Sequence, residues 1–337
     1  MEFGCSPYKN ELKTYSTHPF FDKNRDVIKS HRDLKEFLDH YHKYGADKCY
    51  IYTGRGPSKR EMHLGHLVPF LAAKELQEAL GIRVVIQLTD DEKYLYRSEH
   101  PLETYQEFAR HNKVQIQKFG FNPDLTDIYI NTEDIAKFYP TILRIQHRLN
   151  FSQVSSTFGL TSSDSIGKIA FPAYEMAPCD PICLFGPDAT NMKCLVICAW
   201  DQDPYFRLIR DYAKVLGFSK PALLHLNYIP SLKEGDKMST TGQNTNATIW
   251  LTDDDATIGK KIKKYACSGG SSTKELHEKY GAVIEIDVAC TLLKFFLPSQ
   301  EELDTIISQY KLGRMNTSQV KQRCTEVLQE LISSVRG

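Results

Sequence analysis

Short apolar runs alternate with helical patterns along the first two thirds of the chain, and this alternation restricts the fold more than any other feature. "CYIYTG" (49–54), "VVIQLTD" (84–90), "DIYI" (127–130), "CLVICAW" (194–200) and "ALLHLNYI" (222–229) read as strands. Between the first two, His63 to Leu80 places Leu64, Leu67, Leu71 and Leu80 near one helical face, with Gly81 as a stop. A second helical pattern runs from about Leu102 to Phe119. "DPYFRLIRDYAKVLG" (203–217) is amphipathic and opens with Asp203 and Pro204. Strands that are apolar throughout are buried on both faces. In a strand–helix alternation that means a parallel, doubly wound sheet in an α/β fold.

Two regions depart from the alternation. From about 133 to 190 the pattern is mostly helical, with turns at Gly159 and at Pro172, Pro178 and Pro181, and reads as an insertion between the two halves of the sheet. After Thr252 the apolar strands cease. "DDDATIGKKIKKYACSGG" begins with acids and ends with lysines, the order a helix dipole favours. The expected organisation is an N-terminal segment (1–45), an α/β domain (46–252) carrying the insertion, and an all-helical domain (253–337).

A chain of 337 residues, 41% of them hydrophobic, can bury a sizeable core in two domains. Lys plus Arg (42) balances Asp plus Glu (42), so no overall basic charge points to nucleic acid, although a local basic patch remains compatible. The longest apolar runs, such as Cys194 to Trp200, fall far short of the roughly 18 residues of a membrane span. Residues 1–30 lack a signal peptide's apolar core, so a cytoplasmic location is expected. The nine cysteines are scattered. Cys194 and Cys198 read as core thiols. Cys179 and Cys183 have a spacing a metal could use, but no His or Cys cluster accompanies them, so inert thiols are expected and no metal ligand is assigned.

Chemistry concentrates where the first strand ends. "GRGPSKREMHLGH" (54–66) leaves that strand and enters the first helix. Ligands of doubly wound sheets bind beyond the carboxyl ends of the strands, and a helix N-terminus offers N–H groups to anions. His63 and His66 can face one side of the first turn, Gly65 permits close approach of a nucleotide, and Arg55 supplies a phosphate fork. Taken alone, the histidines could equally cap a helix. Neither a Walker loop nor a Gly-x-Gly-x-x-Gly fingerprint is present. Downstream, "EGDKMSTTGQNTN" (234–246) is a polar, Gly-containing loop after a strand. A lysine on such a loop can clamp and release polyphosphate, although Lys237 by itself reads as a surface residue.

With "HLGH" (63–66) and "KMSTT" (237–241) together, the chain resembles class I aminoacyl-tRNA synthetases. "YTGRGPS", "HLGHLVPF", "VVIQLTDDEKYLY", "SDSIGKIAFPA", "DQDPYFRLIRD", "KPALLH" and "KMS" resemble, in order, the eukaryotic-type tryptophanyl members. The resemblance covers about residues 18–335. It implies a Rossmann-like catalytic domain, a helical insertion that forms a homodimer, and a helical anticodon-binding domain. The implied activity converts L-tryptophan and ATP to tryptophanyl-adenylate and pyrophosphate, then transfers the tryptophanyl group to tRNA(Trp). By the same resemblance, His63, His66, Lys237 and Ser239 act on the phosphates. Arg55, Gly56, Gly65, Asp201 and Met238 help bind ATP, with Mg2+ accompanying the triphosphate. Tyr52 and Gln87 meet the indole, Glu92 and Gln202 hold the ammonium group, and Glu175 is a further tryptophan-site position.

The family pattern has glutamine where this chain has Glu175, a second loop lysine where it has Thr241, and longer ends. Glu175 and the shorter ends keep a second expectation open, a non-charging paralogue that binds tryptophan or RNA. A tyrosyl-tRNA synthetase and a small-metabolite adenylyltransferase are the further alternatives. The former needs a partner for a phenolic hydroxyl, and the latter is disfavoured by the Lys-Met-Ser loop.

Overall fold

A computed structural model describes residues 4–97, 99–233, 238 and 245–336. Seven strands form one sheet in the order β1-β2-β7-β6-β3-β4-β5: β1 Ser6–Pro7, β2 Ile28–Arg32, β3 Cys49–Arg55, β4 Arg83–Leu88, β5 Thr126–Ile130, β6 Lys193–Ala199 and β7 Ala222–Leu226. β3 pairs in parallel with both β4 and β6, and the pairs β4–β5 and β6–β7 are also parallel. The chain moves outward from β3 to β5, returns to β6 beside β3, then moves outward the other way to β7. The carboxyl ends of β3 and β6 are therefore the topological switch point, where such sheets bind ligands. The expected doubly wound sheet is present, with an antiparallel edge pair β1–β2 added.

The sheet is buried because its strands are. Every residue of β7 is buried, and in β3 Gly54 alone is exposed. Helix limits follow local chemistry. The helix Leu64–Leu80 stops at Gly81, which adopts φ +64°, and Asp203–Leu216 stops at Gly217 with φ +93°. Pro69 lies inside Leu64–Leu80 and has no N–H, so the carbonyl of Gly65 loses its in-helix donor. Between β5 and β6 the chain is helical: Asn131–Gln146, Phe151–Phe158, Ile166–Ala170, Pro172–Met176 and Pro181–Phe185. The "TDDEK" run after β4 opens a helix, Asp90–Tyr96, whose first turn holds Asp90, Asp91 and Glu92 as the macrodipole favours.

By contact the chain divides into two compact units. One comprises Met1–Glu11, Lys29–Arg60 and Pro69–Leu226, and contains the sheet and the inserted helices. The other comprises Leu12–Ile28, Glu61–Val68 and Asn227–Gly337. Its helices Asp255–Tyr265, Lys274–Tyr280, Val288–Phe296 and Gln300–Lys311 are capped by Asp254, Thr273, Asp287 and Ser299, and Thr317–Arg336 follows. Among the described residues no helix is long and apolar enough to cross a membrane.

Candidate active site

Within the sheet unit, the ends of β3 and β4 bring together two of the expected residues. Tyr52 Oη lies 2.6 Å from Gln87 Oε1 and 2.9 Å from the backbone carbonyl oxygen of Glu175, on the helix Pro172–Met176. A carboxamide oxygen and a carbonyl only accept, so these three oxygens share one hydroxyl proton. The cluster has acceptors to spare and lacks a donor. Tyr52 and Gln87 are each 1% exposed, so the deficiency lies where water does little to relieve it. Gln87 Nε2 donates to Asn131 Oδ1 (2.8 Å) and to the Tyr174 carbonyl (3.0 Å).

The acids that follow β4 are perturbed. The Asp91 carboxyl is pushed up to about 7, chiefly by burial, against the opposing hydrogen bond from Asn131. Burial first, then the Glu92 charge, pushes Glu175 up to about 8, with Lys93 opposing. Glu92 is engaged by Lys93 Nζ at 2.7 Å, and the Thr89 hydroxyl donates to it at 3.3 Å. Gly56 lies against this pair: a Cβ added to it would meet Lys93 Cε at 2.1 Å and Glu92 Oε2 at 2.2 Å, so the two side-chain ends would have to move.

Arg55 closes β3. Its Nε donates to Asn112 Oδ1 at 2.6 Å, and Asn112 Nδ2 donates to the Arg60 carbonyl at 2.7 Å. Both terminal nitrogens of Arg55 are buried with no partner among the described residues, and burial pulls its pKa down to about 9. A buried cation with unused donors is what an anion site requires. Sequence periodicity could not find Asn112, because a polar residue inside a helical pattern carries no mark of what it touches.

After β6, Asp201 and Gln202 lie on the short 3-10 turn Trp200–Gln202, with Asp201 exposed. Asp201 does not cap the next helix, since Gln202 occupies the cap position of Asp203–Leu216. Asp203 is instead gripped at both oxygens by Arg32, at 2.6 and 2.8 Å. Burial alone would raise its pKa, but His225 and Arg32 hold it well below the usual carboxylate range. Cys5, Asp203 and His225 offer ligand atoms within 4.8 Å of one another, but Asp203 is already paired with the Arg32 guanidinium. Cys179 and Cys183 form no such group among the described residues. Cys183 Sγ donates to the carbonyls of Asp180 (3.0 Å) and Ala177 (3.3 Å), and burial pushes the pKa of both thiols up.

In the second unit, the His63 and His66 rings stack with centroids 3.5 Å apart. His63 Nδ1 accepts from the Gly65 N–H at 3.1 Å, and His66 Nδ1 accepts from the His63 N–H at 3.2 Å. A nitrogen that accepts a backbone N–H carries no proton, so each neutral ring bears its hydrogen on Nε2, as a donor. The turn is anchored by the Leu64 N–H donating to the Ile249 carbonyl at 2.9 Å. A Cβ on Gly65 would lie 3.1 Å from the His63 ring and 3.7 Å from Met238 Cβ. The two motif segments, 172 residues apart at His66 and Met238, thus meet at Gly65. Met238 is buried, and its N–H donates to the Ile229 carbonyl at 3.0 Å. Lys237, Ser239 and Thr241 lie outside the described residues.

The family described as tRNA synthetases class I (W and Y) matches residues 46–333. The cytoplasmic tryptophan–tRNA ligase of Dictyostelium discoideum is 41% identical over 314 residues, covering 91% of this chain and 78% of that protein. That of Homo sapiens is 38% identical over 343 residues, covering 99% of this chain and 72% of that protein. A solved tryptophanyl-tRNA synthetase from Encephalitozoon cuniculi, bound to tryptophan, is 38% identical and superposes with a TM-score of 0.90 over 99% of this chain and 91% of its own. The chain therefore belongs to the class I tRNA synthetases of the tryptophan and tyrosine group, as one of the tryptophan–tRNA ligases.

Proposed function

We propose that tryptophan binds with its indole N–H directed at the Tyr52–Gln87–Glu175 oxygens, and that the chain activates the amino acid with ATP for transfer to tRNA(Trp). The donor-deficient cluster carries this reading. Indole has a single polar group, a donor N–H, and so supplies what those three oxygens lack. Glu92, Glu175 and Gln202 hold the ammonium group.

In the first step a carboxylate oxygen of tryptophan attacks the α-phosphorus of ATP. The bond to the bridging oxygen breaks and pyrophosphate leaves with the electron pair. The nucleophile is already ionised, so no base is needed and catalysis is positioning and charge stabilisation. The Nε2–H groups of His63 and His66 donate to phosphate oxygens, and the paired terminal nitrogens of Arg55 take pyrophosphate charge. Lys237 and Ser239 assist, with Met238 between them. ATP arrives as its Mg2+ complex. Asp201 accepts from a ribose hydroxyl, and Gly56 and Gly65 leave the backbone approachable. In the second step the 2′-hydroxyl of the terminal adenosine attacks the activated carbonyl and AMP departs.

The helices after 253 receive the anticodon. Exposed Tyr139, Leu143, Phe151 and Ile166 on the inserted helices support pairing of two copies. The cytoplasmic naming of relatives supports that location.

ATP–pyrophosphate exchange and charging of tRNA(Trp) test the proposal. Exchange should depend on tryptophan, with tyrosine at least about a hundredfold poorer. Exchange with tyrosine in its place overturns the indole assignment. Exchange without charging transfers the chain to the non-charging reading that Glu175 keeps open.

A further inference from the structure

The end of the Gln87 amide that faces Tyr52 decides the chemistry of the indole site. With the oxygen turned to Tyr52, the cluster lacks a donor. With the amide reversed, its NH2 would satisfy Tyr52 and present an N–H to an incoming N–H. The observed orientation has a traceable cause. Gln87 Nε2 lies 2.8 Å from Asn131 Oδ1 and 3.0 Å from the Tyr174 carbonyl oxygen, so each of its two hydrogens has an acceptor. The Asn131 amide is fixed in turn, because its Nδ2 donates to Asp91 Oδ1 at 2.9 Å. That same oxygen accepts the Glu92 backbone N–H at 2.9 Å, a group that can only donate. Asn131 is 1% exposed and is the first residue of the helix Asn131–Gln146, directly after β5. The Tyr174 carbonyl alone would hold one amide hydrogen and leave the other buried without a partner.

We infer that Asn131 is a positioning residue that sets the polarity of the indole site, holding the Gln87 oxygen toward Tyr52 so that the enzyme selects an amino acid bearing an N–H donor. The inference rests on the proposed placement of indole at Tyr52 and Gln87. Asn131 acts through Gln87 and does not touch the substrate. The polarity runs from the Glu92 backbone N–H through Asp91, Asn131 and Gln87 to Tyr52, across two helices and two strands of one unit.

The test compares tryptophan with its benzothiophene analogue, in which sulfur replaces the indole N–H and shape is nearly kept. The readout is the ratio of kcat/KM for the two amino acids in ATP–pyrophosphate exchange. Asn131→Leu should lower the ratio about tenfold, the worth of one hydrogen bond, by loss with tryptophan while the analogue changes little. Asn131→Asp keeps an acceptor for Gln87 Nε2, with its second oxygen facing Asp91 across a shared proton, and should stay within about threefold of the wild-type ratio. Equal loss for both amino acids in Asn131→Leu, with the ratio unchanged, overturns the inference, because a merely structural residue would behave that way. If Asn131→Leu does not fold, Asn131→Ala removes the same acceptor without adding bulk and carries the same expectation. Failure of the enzymatic reading shows separately, as wild-type protein with no tryptophan-dependent exchange. The ratio is then read from equilibrium binding of the two amino acids, where lack of a wild-type preference for tryptophan also overturns the assignment of Asn131.

Discussion

Glu175 lies among charges that oppose its ionisation. Burial is the main cause, the Glu92 and Asp91 carboxylates add to it, and Lys93, itself engaged by Glu92, opposes. Tyr52, Tyr96 and Tyr205 around it are held protonated by burial. The ordinary value is 4.5 and the folded one about 8, so the folded chain binds this proton more tightly than the unfolded chain. Its contribution to stability is therefore constant below about pH 4.5 and declines as pH rises toward 8. Near neutral pH the carboxyl is largely protonated, with one donor and one acceptor like the amide of the glutamine that the family has at this position. Glu175→Gln should be more stable than wild type at pH 8 by at least about 1.4 kcal/mol, the worth of one pH unit of displacement, with no such gain at pH 4.5. Urea unfolding at the two pH values measures this, and an equal difference at both contradicts the assigned proton. The sequence displayed Glu175 as an oddity, but its neighbours come from a helix some 80 residues earlier, so its protonation was not legible there.

Helices and strands differed in how openly the chain announced them. β3, β6 and β7 each carry a continuous apolar run because both faces are buried there, and their sequences show it. β1 is two exposed residues, and β2, "IKSHR", has no apolar run, so nothing in the periodicity separates them from loop. What sets β2 in place is tertiary: Ser30 Oγ meets His225 Nδ1 at 3.0 Å, and Arg32 grips Asp203. Caps were legible in type but not in consequence. Asp287 caps Val288–Phe296 through the Cys290 N–H at 2.8 Å, and its other oxygen also accepts from the Gly269 N–H and the Tyr310 hydroxyl, each at 2.9 Å. At 1% exposure it satisfies three buried donors. Asp287→Ala should cost about 3 kcal/mol, more than an ordinary cap, with calorimetry or urea unfolding as the measure. A loss below about 1 kcal/mol would show that the two extra bonds contribute nothing.

Across the whole chain, residues far apart in sequence complete each unit. Arg25, 1% exposed, donates to the carbonyls of Leu297 (2.6 Å) and Lys294 (3.2 Å) and to Gln300 Oε1 (2.7 Å), roughly 270 positions later. It supplies the donors that the carboxyl end of Val288–Phe296 lacks within its own helix. Arg25→Met should therefore destabilise the unit formed by Leu12–Ile28 and the C-terminal helices by about 2 kcal/mol, read as a lowered transition in calorimetry and faster proteolysis within 245–336. An unchanged transition would count against that tie. The sequence by itself determined the parallel strands, their order along the chain, the helical stretch between β5 and β6 and the two short motifs proposed to handle phosphate. Each of these is written in local periodicity or in a short run of specific residues. Only the tertiary structure decided that Met238 meets Gly65, that Asn112 holds Arg55, and that Asn131 orients Gln87. Hydrogen-bond polarity and burial belong to groups brought together across elements, and no local pattern encodes which way a buried amide turns.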